Sequence, residues 1–233
     1  HPVLIGARLI TVNEHASEVA SCTFDEQRRV LEITKEEAGA LPAVNGVYPD
    51  GSLEAARIAR MAEQGGADAL LVFPPAIYTF GQRPEMAVAH FKRIADATRL
   101  PIILFQYPLA GGQGYPISTL EKICDAVPTV RAIKDWCANP QLHERQVRVL
   151  QARSVNVLTT HSSWLLGTKG LLWGSGSVIA DLQARLFRAV KAGNLEEAKK
   201  LHARITPTAE VFYAEPWVDM HNRMKEALVL LGR

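Results

Sequence analysis

The chain has 233 residues, 48% of them apolar and 21% charged, with 26 basic against 24 acidic side chains for a net charge of +2. This is ordinary globular composition at a length that a barrel fold fills as one domain, and it excludes a disordered or collagen-like chain. The longest apolar stretches are about eight residues, too short for a membrane helix, and the first residues lack the basic, apolar, small pattern of a secretory signal. Charge is spread without blocks, so no field gathers nucleic acid or anionic lipid, and small-molecule chemistry is the default. Cys22, Cys124 and Cys137 make no paired framework and no Cys-x-x-Cys, which points to a reducing compartment, the cytoplasm.

Apolar runs of strand length alternate with amphipathic stretches of helix length. Residues 9–12 read as a strand and 23–38 as a helix with Val30, Leu31 and Ile33 on one face. The pattern recurs as strand 43–47 with helix 53–64, strand 69–73 with helix 86–98, strand 102–107 with helix 117–126, strand 130–134 with helix 141–151, and strand 155–160. The middle strands are apolar nearly throughout, as burial on both faces of a parallel sheet requires. Gly39 and Gly65-Gly66 end helices, and Pro42 and Pro101 open strands. A seventh strand, 170–174, follows with only 162–169 as its connection, and then come helices 180–192, 195–214 and 219–231. No Gly-x-Gly-x-x-Gly joins a strand to a helix, which favours a closed barrel over a doubly wound sheet. The expected fold class is α/β, a TIM (β/α)8-type barrel over 1–177 with C-terminal helices 178–233 packed on it, one domain overall.

Lys134 stands at the C-terminal end of the fifth strand, where barrel enzymes place their reactive groups, and strict alternation puts Val130, Ala132, Lys134 and Trp136 on one face. An amine raised into an apolar barrel mouth has its charged form disfavoured and can attack a ketone. The bare pattern also suits a lysine that snorkels to solvent.

Four segments, 23–31, 66–75, 100–108 and 130–135, taken in order and spacing, resemble the dihydrodipicolinate synthase / N-acetylneuraminate lyase family of Schiff-base aldolases. The Gly66-Ala67-Asp68 strand ending in Pro74-Pro75 and the Ile133-Lys134-Asp135 strand carry the resemblance most specifically. It implies a (β/α)8 barrel, usually tetrameric, that needs no metal or cofactor and performs reversible aldol or dehydration chemistry on 2-oxo acids. It makes Lys134 the Schiff-base nucleophile. The expected partners are a small 2-oxo acid and further copies of the chain, as a dimer or tetramer, and neither nucleic acid nor a membrane.

Departures from the family pattern shape the rest of the expectation. The family's opening strand and helix would precede His1 or survive there as a remnant. Its catalytic tyrosine aligns with Phe105, which has no hydroxyl, while Tyr107 lies two residues on, on the same strand face. The family's Gly-Thr-Thr-Gly-Glu turn aligns with Glu14-His15-Ala16-Ser17-Glu18, so an imidazole, His15, replaces the first threonine. Tyr107 and His15 are thus the candidate proton carriers, and the turn at Ala16 and Ser17 the candidate carboxylate site, in part through backbone N–H groups. Phe105, Thr160 and His161 would line the substrate, with Ser162 beside them. An arginine that binds the aldehyde's carboxylate in the synthases is replaced by Ala110, which argues against that one activity. Two other readings stay open: an inactive barrel that binds ligands or assembles, and a phosphate-binding isomerase or aldolase using Gly174-Ser175-Gly176-Ser177 at a helix start. Asp219 and His221 lack a metal-binding partner set and suit packing or an oligomer contact.

Overall fold

The structure is a computed structural model that describes residues 8–161, 165 and 167–233. Its contacts divide into two compact units, Leu9–Leu158 and Thr159–Arg233. A remnant of an earlier strand before residue 8, and Ser162, lie outside the described residues.

The first unit alternates β1 (Ile10–Val12), α1 (Phe24–Glu37), β2 (Ala43–Val47), α2 (Ser52–Gln64), β3 (Ala69–Val72), α3 (Pro84–Ala95), β4 (Ile102–Gln106), α4 (Ile117–Ala126), β5 (Val130–Asp135), α5 (Pro140–Gln151) and β6 (Asn156–Thr159). Strands β1 to β5 pair in parallel with their chain neighbours, as the strand-helix alternation predicts. The helix starts are chemically marked. Thr23 caps α1 in a capping box with Glu26: the Glu26 N–H donates to the threonine hydroxyl at 3.3 Å, and the Thr23 N–H to the glutamate at 2.8 Å. Proline opens α3 and α5, where its missing N–H costs nothing.

Side chains sort into two layers. One packs the strands against the helices and holds Leu31, Leu70, Val72, Phe91, Ile94, Ile102, Leu104, Ile123 and Ile133. The other is built from the opposite strand face alone, with Val44, Leu71, Phe73, Ile103, Phe105, Tyr107 and Ala132. Alternation along β4 supplies both, Ile102 and Leu104 to the first layer and Ile103 and Phe105 to the second. In β5 the alternation is broken. Ile102 pairs with Val130 but Ile103 with Ala132, so Arg131 is an extra, exposed residue. The bulge turns Val130 to the helix-side layer, and only Ala132 and Trp136 remain with the face of Lys134. The expected grouping of Val130 with Lys134 is thus corrected by the bulge.

On α1, Leu31 is fully buried but Ile33 is 43% exposed, because two residues along a helix turn the side chain through about 200°. The expectation that both lie on the core face does not hold.

The second unit carries β7 (Gly170–Leu171), α6 (Gly176–Lys191), α7 (Leu195–Phe212) and α8 (Met220–Leu230). Leu165, Leu186, Ala189, Leu201 and Ile205 form its core. The seventh strand is shorter than the apolar run 170–174 suggests, since a turn in which Gly176 N–H donates to Trp173 O follows at once. Helix α6 starts four residues before the predicted 180: Ile179 is kinked (φ −124°, ψ 34°), and the amphipathic period becomes regular only beyond it. No described helix is long and apolar enough to cross a membrane.

Burial also leaves a titration signature. His90 on α3 is 3% exposed, with its Nδ1 2.9 Å from the Ser52 hydroxyl, and burial pushes its pKa down to about 4. The folded chain keeps the ring neutral where an unfolded one, with a pKa of about 6.5, binds a proton. Stability from this group is therefore whole above about pH 6.5 and lost as pH falls toward 4, by at most about 3 kcal/mol. Urea melts at pH 7 and pH 4.5 should show this loss in the wild type and a smaller one in His90→Gln.

Candidate active site

Lys134 ends the inner face of β5, only 4% exposed. The next residue, Asp135, faces the opposite way and is tied down on the helix side. Its carboxylate accepts from the Cys137 N–H at 3.0 Å and stands 2.5 Å from His143 Nδ1 on α5. This lock sets the rotation of the strand end, and with it the direction of the lysine.

The turn after β1 brings a charge to meet it. Glu14, 4% exposed, places Oε2 3.2 Å from Lys134 Nζ. Three features build this turn. Asn13 takes a left-handed conformation (φ 53°), and its side-chain amide donates to Gln27 O of α1 and to Asn45 Oδ1 of β2, both at 2.8 Å. Gly46 lets the turn lie directly on β2, since a Cβ there would stand 1.9 Å from the Asn13 carbonyl oxygen. The Ser17 N–H then donates to Glu14 O at 2.8 Å, closing a 3-10 turn over His15–Ser17.

Rings surround the pair. Lys134 Nζ lies 5.1 Å from the centre of the Phe105 ring, and Phe105 stacks on Phe73 at 4.6 Å and meets Tyr107 at 4.6 Å. Trp136 packs on both Phe105 and Tyr107. His15 stands edge-on to Tyr107 at 6.4 Å and beside Tyr48 at 6.0 Å. Burial pushes the Tyr107 and Tyr48 pKa values up, with the neighbouring Tyr48 and Glu14 raising Tyr107 further. Both phenols are therefore protonated donors at neutral pH.

Of the residues expected at the site, Lys134, Phe105, Tyr107 and His15 form this one cluster. Ala16 is half-buried in the turn beside them, and Ser17 is exposed, its N–H donating to Glu14 O within the turn. Thr160 and His161 belong to the second unit, in a turn held by Thr159, whose hydroxyl accepts from the His161 N–H at 3.0 Å. Sequence reasoning missed Glu14, Tyr48 and Phe73. A usable signal was present for the last two, since Tyr48 and Phe73 directly follow β2 and β3 as Tyr107 follows β4. Glu14 had no signal beyond its place next to His15.

The Gly174–Ser177 turn holds no anion cradle. The Ser175 N–H donates to the Tyr213 hydroxyl at 3.0 Å, and the N–H groups of Gly176, Ser177 and Val178 go to Trp173, Gly174 and Ser175 carbonyls. The donors a phosphate would need are consumed, so the phosphate-site expectation is corrected. Asp219 is engaged by Asn222 and Arg223, and the described residues contain no cluster of three His, Cys, Asp or Glu suited to a metal. All three cysteines are free thiols, and burial pushes Cys124 to about 11 and Cys137 to about 12, far from a reactive thiolate.

Residues 9–232 match the family model described as the dihydrodipicolinate synthetase family. The chain belongs to that family. A 4-hydroxy-tetrahydrodipicolinate synthase of Maridesulfovibrio salexigens is 29% identical over 203 residues, covering 85% of this chain and 69% of the relative. An uncharacterized DapA-like lyase of Pyrobaculum islandicum is 30% identical over 196 residues, covering 82% and 64%. Among solved structures, a putative dihydrodipicolinate synthetase from Pseudomonas aeruginosa superposes with a TM-score of 0.88 at 22% identity, covering 99% of this chain and 80% of that one. YagE from Escherichia coli K12, a family protein solved in complex with pyruvate, gives 0.89 at 20%, covering 100% and 80%. The fold is accordingly the α/β, TIM-barrel type of this dihydrodipicolinate synthetase family, followed by C-terminal helices.

The turn makes a direct prediction. Gly46→Ala must push Asn13 and Glu14 off β2, so it should cost about 1–3 kcal/mol in denaturant melts. It should also expose Lys134 to amine-acylating reagents, read as faster modification by mass spectrometry.

Proposed function

We propose that the chain is a Schiff-base lyase in which Lys134 condenses with a small 2-oxo acid, pyruvate or a sugar-derived 2-keto acid. The resulting iminium accepts electrons while a neighbouring C–C or C–O bond is broken or made. The observation that carries this reading is a buried amine at the C-terminal end of the fifth strand, within a shell of rings, in a chain of this family. The pyruvate bound by the structural relative YagE suggests the substrate class. With the iminium as electron sink, the reaction draws on no metal or organic cofactor.

Proton transfer is divided differently from the family pattern. Phe105 packs and moves no proton. Tyr107, held protonated by burial, serves as a hydrogen-bond donor to oxygen that gains charge in the reaction. His15, edge-on to Tyr107, is the second proton carrier of the proposed reaction. Ala16 and the turn around it orient the substrate carboxylate. Work as a homo-oligomer in the cytoplasm belongs to the same reading.

Borohydride added with pyruvate should attach the acid irreversibly to Lys134, located by peptide mass spectrometry, because only an iminium is reduced to a stable amine. Label on another lysine, or none with any small 2-oxo acid, would overturn the reading in favour of a ligand-binding barrel. Tyr107→Phe and His15→Ala should each lower turnover by about 10²- to 10⁴-fold while trapping on Lys134 persists, since the nucleophile is untouched. Condensation of pyruvate with aspartate semialdehyde should be absent, because Ala110, exposed in the turn after β4, offers no fork to that aldehyde's carboxylate.

A further inference from the structure

The proposed reaction leaves one buried charge without a task. We propose that Glu14 is the catalytic acid and base of Lys134, taking the ammonium proton that blocks attack and delivering protons to the oxygen that leaves as water. This rests on the Schiff-base reading above and assigns to it the proton carrier at the nitrogen itself.

The geometry supports a working contact. An ammonium has no lone pair and cannot attack a carbonyl until it loses a proton, and Glu14 Oε2 stands 3.2 Å from that nitrogen. Both side chains are 5% exposed, so a carboxylate in contact is a far better placed acceptor than bulk solvent. In the family turn that this segment resembles, a glycine stands where Glu14 is, and a tyrosine stands where Phe105 is. The chain has therefore lost a proton-carrying hydroxyl from β4 and gained a carboxylate on the turn after β1, facing the same amine.

The steps balance. Lys134 –NH₃⁺ gives one proton to the Glu14 carboxylate, and the freed amine forms the N–C bond as the carbonyl π electrons move to oxygen. Glu14 returns its proton to that oxygen, giving a carbinolamine with nitrogen still carrying two hydrogens. Glu14 then accepts one of these and hands it to the hydroxyl, whose C–O bond breaks to release water. The product is the protonated iminium beside a carboxylate again, with one water formed and no net change in charge. The restored carboxylate is the counterion of the iminium.

The other titratable groups facing the pair are His15 on the same turn, Tyr107 after β4 with its partner Tyr48 after β2, and, across the strand, Asp135, which is directed to Cys137 and His143. The two phenols stay protonated by burial, and Asp135 points to the other face, which leaves Glu14 as the carboxylate on the amine.

The test follows iminium formation with pyruvate by quenching into borohydride at intervals and counting label on Lys134. Absence of label in the wild type would remove the Schiff-base reading itself. With label present, the wild-type rate should be nearly flat between about pH 6 and pH 9, because the proton moves within the site. Glu14→Gln, which keeps the shape and loses the proton carrier, should be at least about 10²-fold slower at pH 7, because no group at the nitrogen remains to hand protons to the oxygen that leaves. Glu14→Ala should recover rate on addition of acetate, and a purely structural role would give no such rescue. A Glu14→Gln protein that labels at the wild-type rate with a flat profile would overturn the proposal while leaving the Schiff-base reading intact. Should neither variant fold by circular dichroism, the wild-type profile decides: a flat rate supports Glu14, and a tenfold rise per unit from pH 6 overturns it.

Discussion

The turn after β1 reaches Lys134 because one residue of β2 has no side chain. At Gly46 the backbone of Asn13 and Glu14 occupies the space a Cβ would need, and the turn is pressed against the strand. The left-handed Asn13 then redirects the chain, with its amide shared between α1 and β2. From the other side, the Asp135 lock to Cys137 and His143 holds the end of β5. Two elements some 120 residues apart in the chain are so fixed on either side of a single 3.2 Å contact.

The energetic consequence is that neither charge is tolerable alone. Moving an isolated ion into an interior costs several kcal/mol even after relaxation, and the mutual attraction of a close pair offsets this only when the geometry is held. Phe73, Phe105, Tyr107 and Trp136 keep the surroundings apolar, which strengthens the attraction and makes the cost of separating the charges larger. The Glu14–Lys134 contact is thus held by the fold itself, between two side chains that are each 5% exposed.

The ring shell also distributes roles. Burial keeps Tyr107 and Tyr48 protonated, so their hydroxyls remain hydrogen-bond donors. In the proposed reaction, Phe105 in place of the family tyrosine goes with proton handling by the turn after β1. Elsewhere the same logic removes a site: the first-turn N–H groups of α6 are consumed by Tyr213 and by carbonyls of their own turn, so a Gly-Ser sequence at a helix start carries no anion cradle.

The alternation of strands and helices, their parallel order in the first unit and the place of Lys134 at a strand end were legible in the sequence, because the periods of two and 3.6 residues are local properties written by neighbouring side chains. The family followed from four short segments whose order and spacing are likewise linear. What the tertiary structure decided lies where local period stops being informative. The bulge at Arg131 separates Val130 from the face of Lys134, and the kink at Ile179 hides the first turn of α6 from a periodic reading. Ile33 faces solvent although its neighbour Leu31 is buried, since the apolar pattern marks a stripe and the packing selects its centre. The Glu14–Lys134 pair is the clearest case. Nothing within a few residues of Glu14 names its partner, because a contact between distant strand ends is set by where Gly46, Asn13 and Asp135 hold the backbone, and those restraints exist only once the strands have assembled side by side.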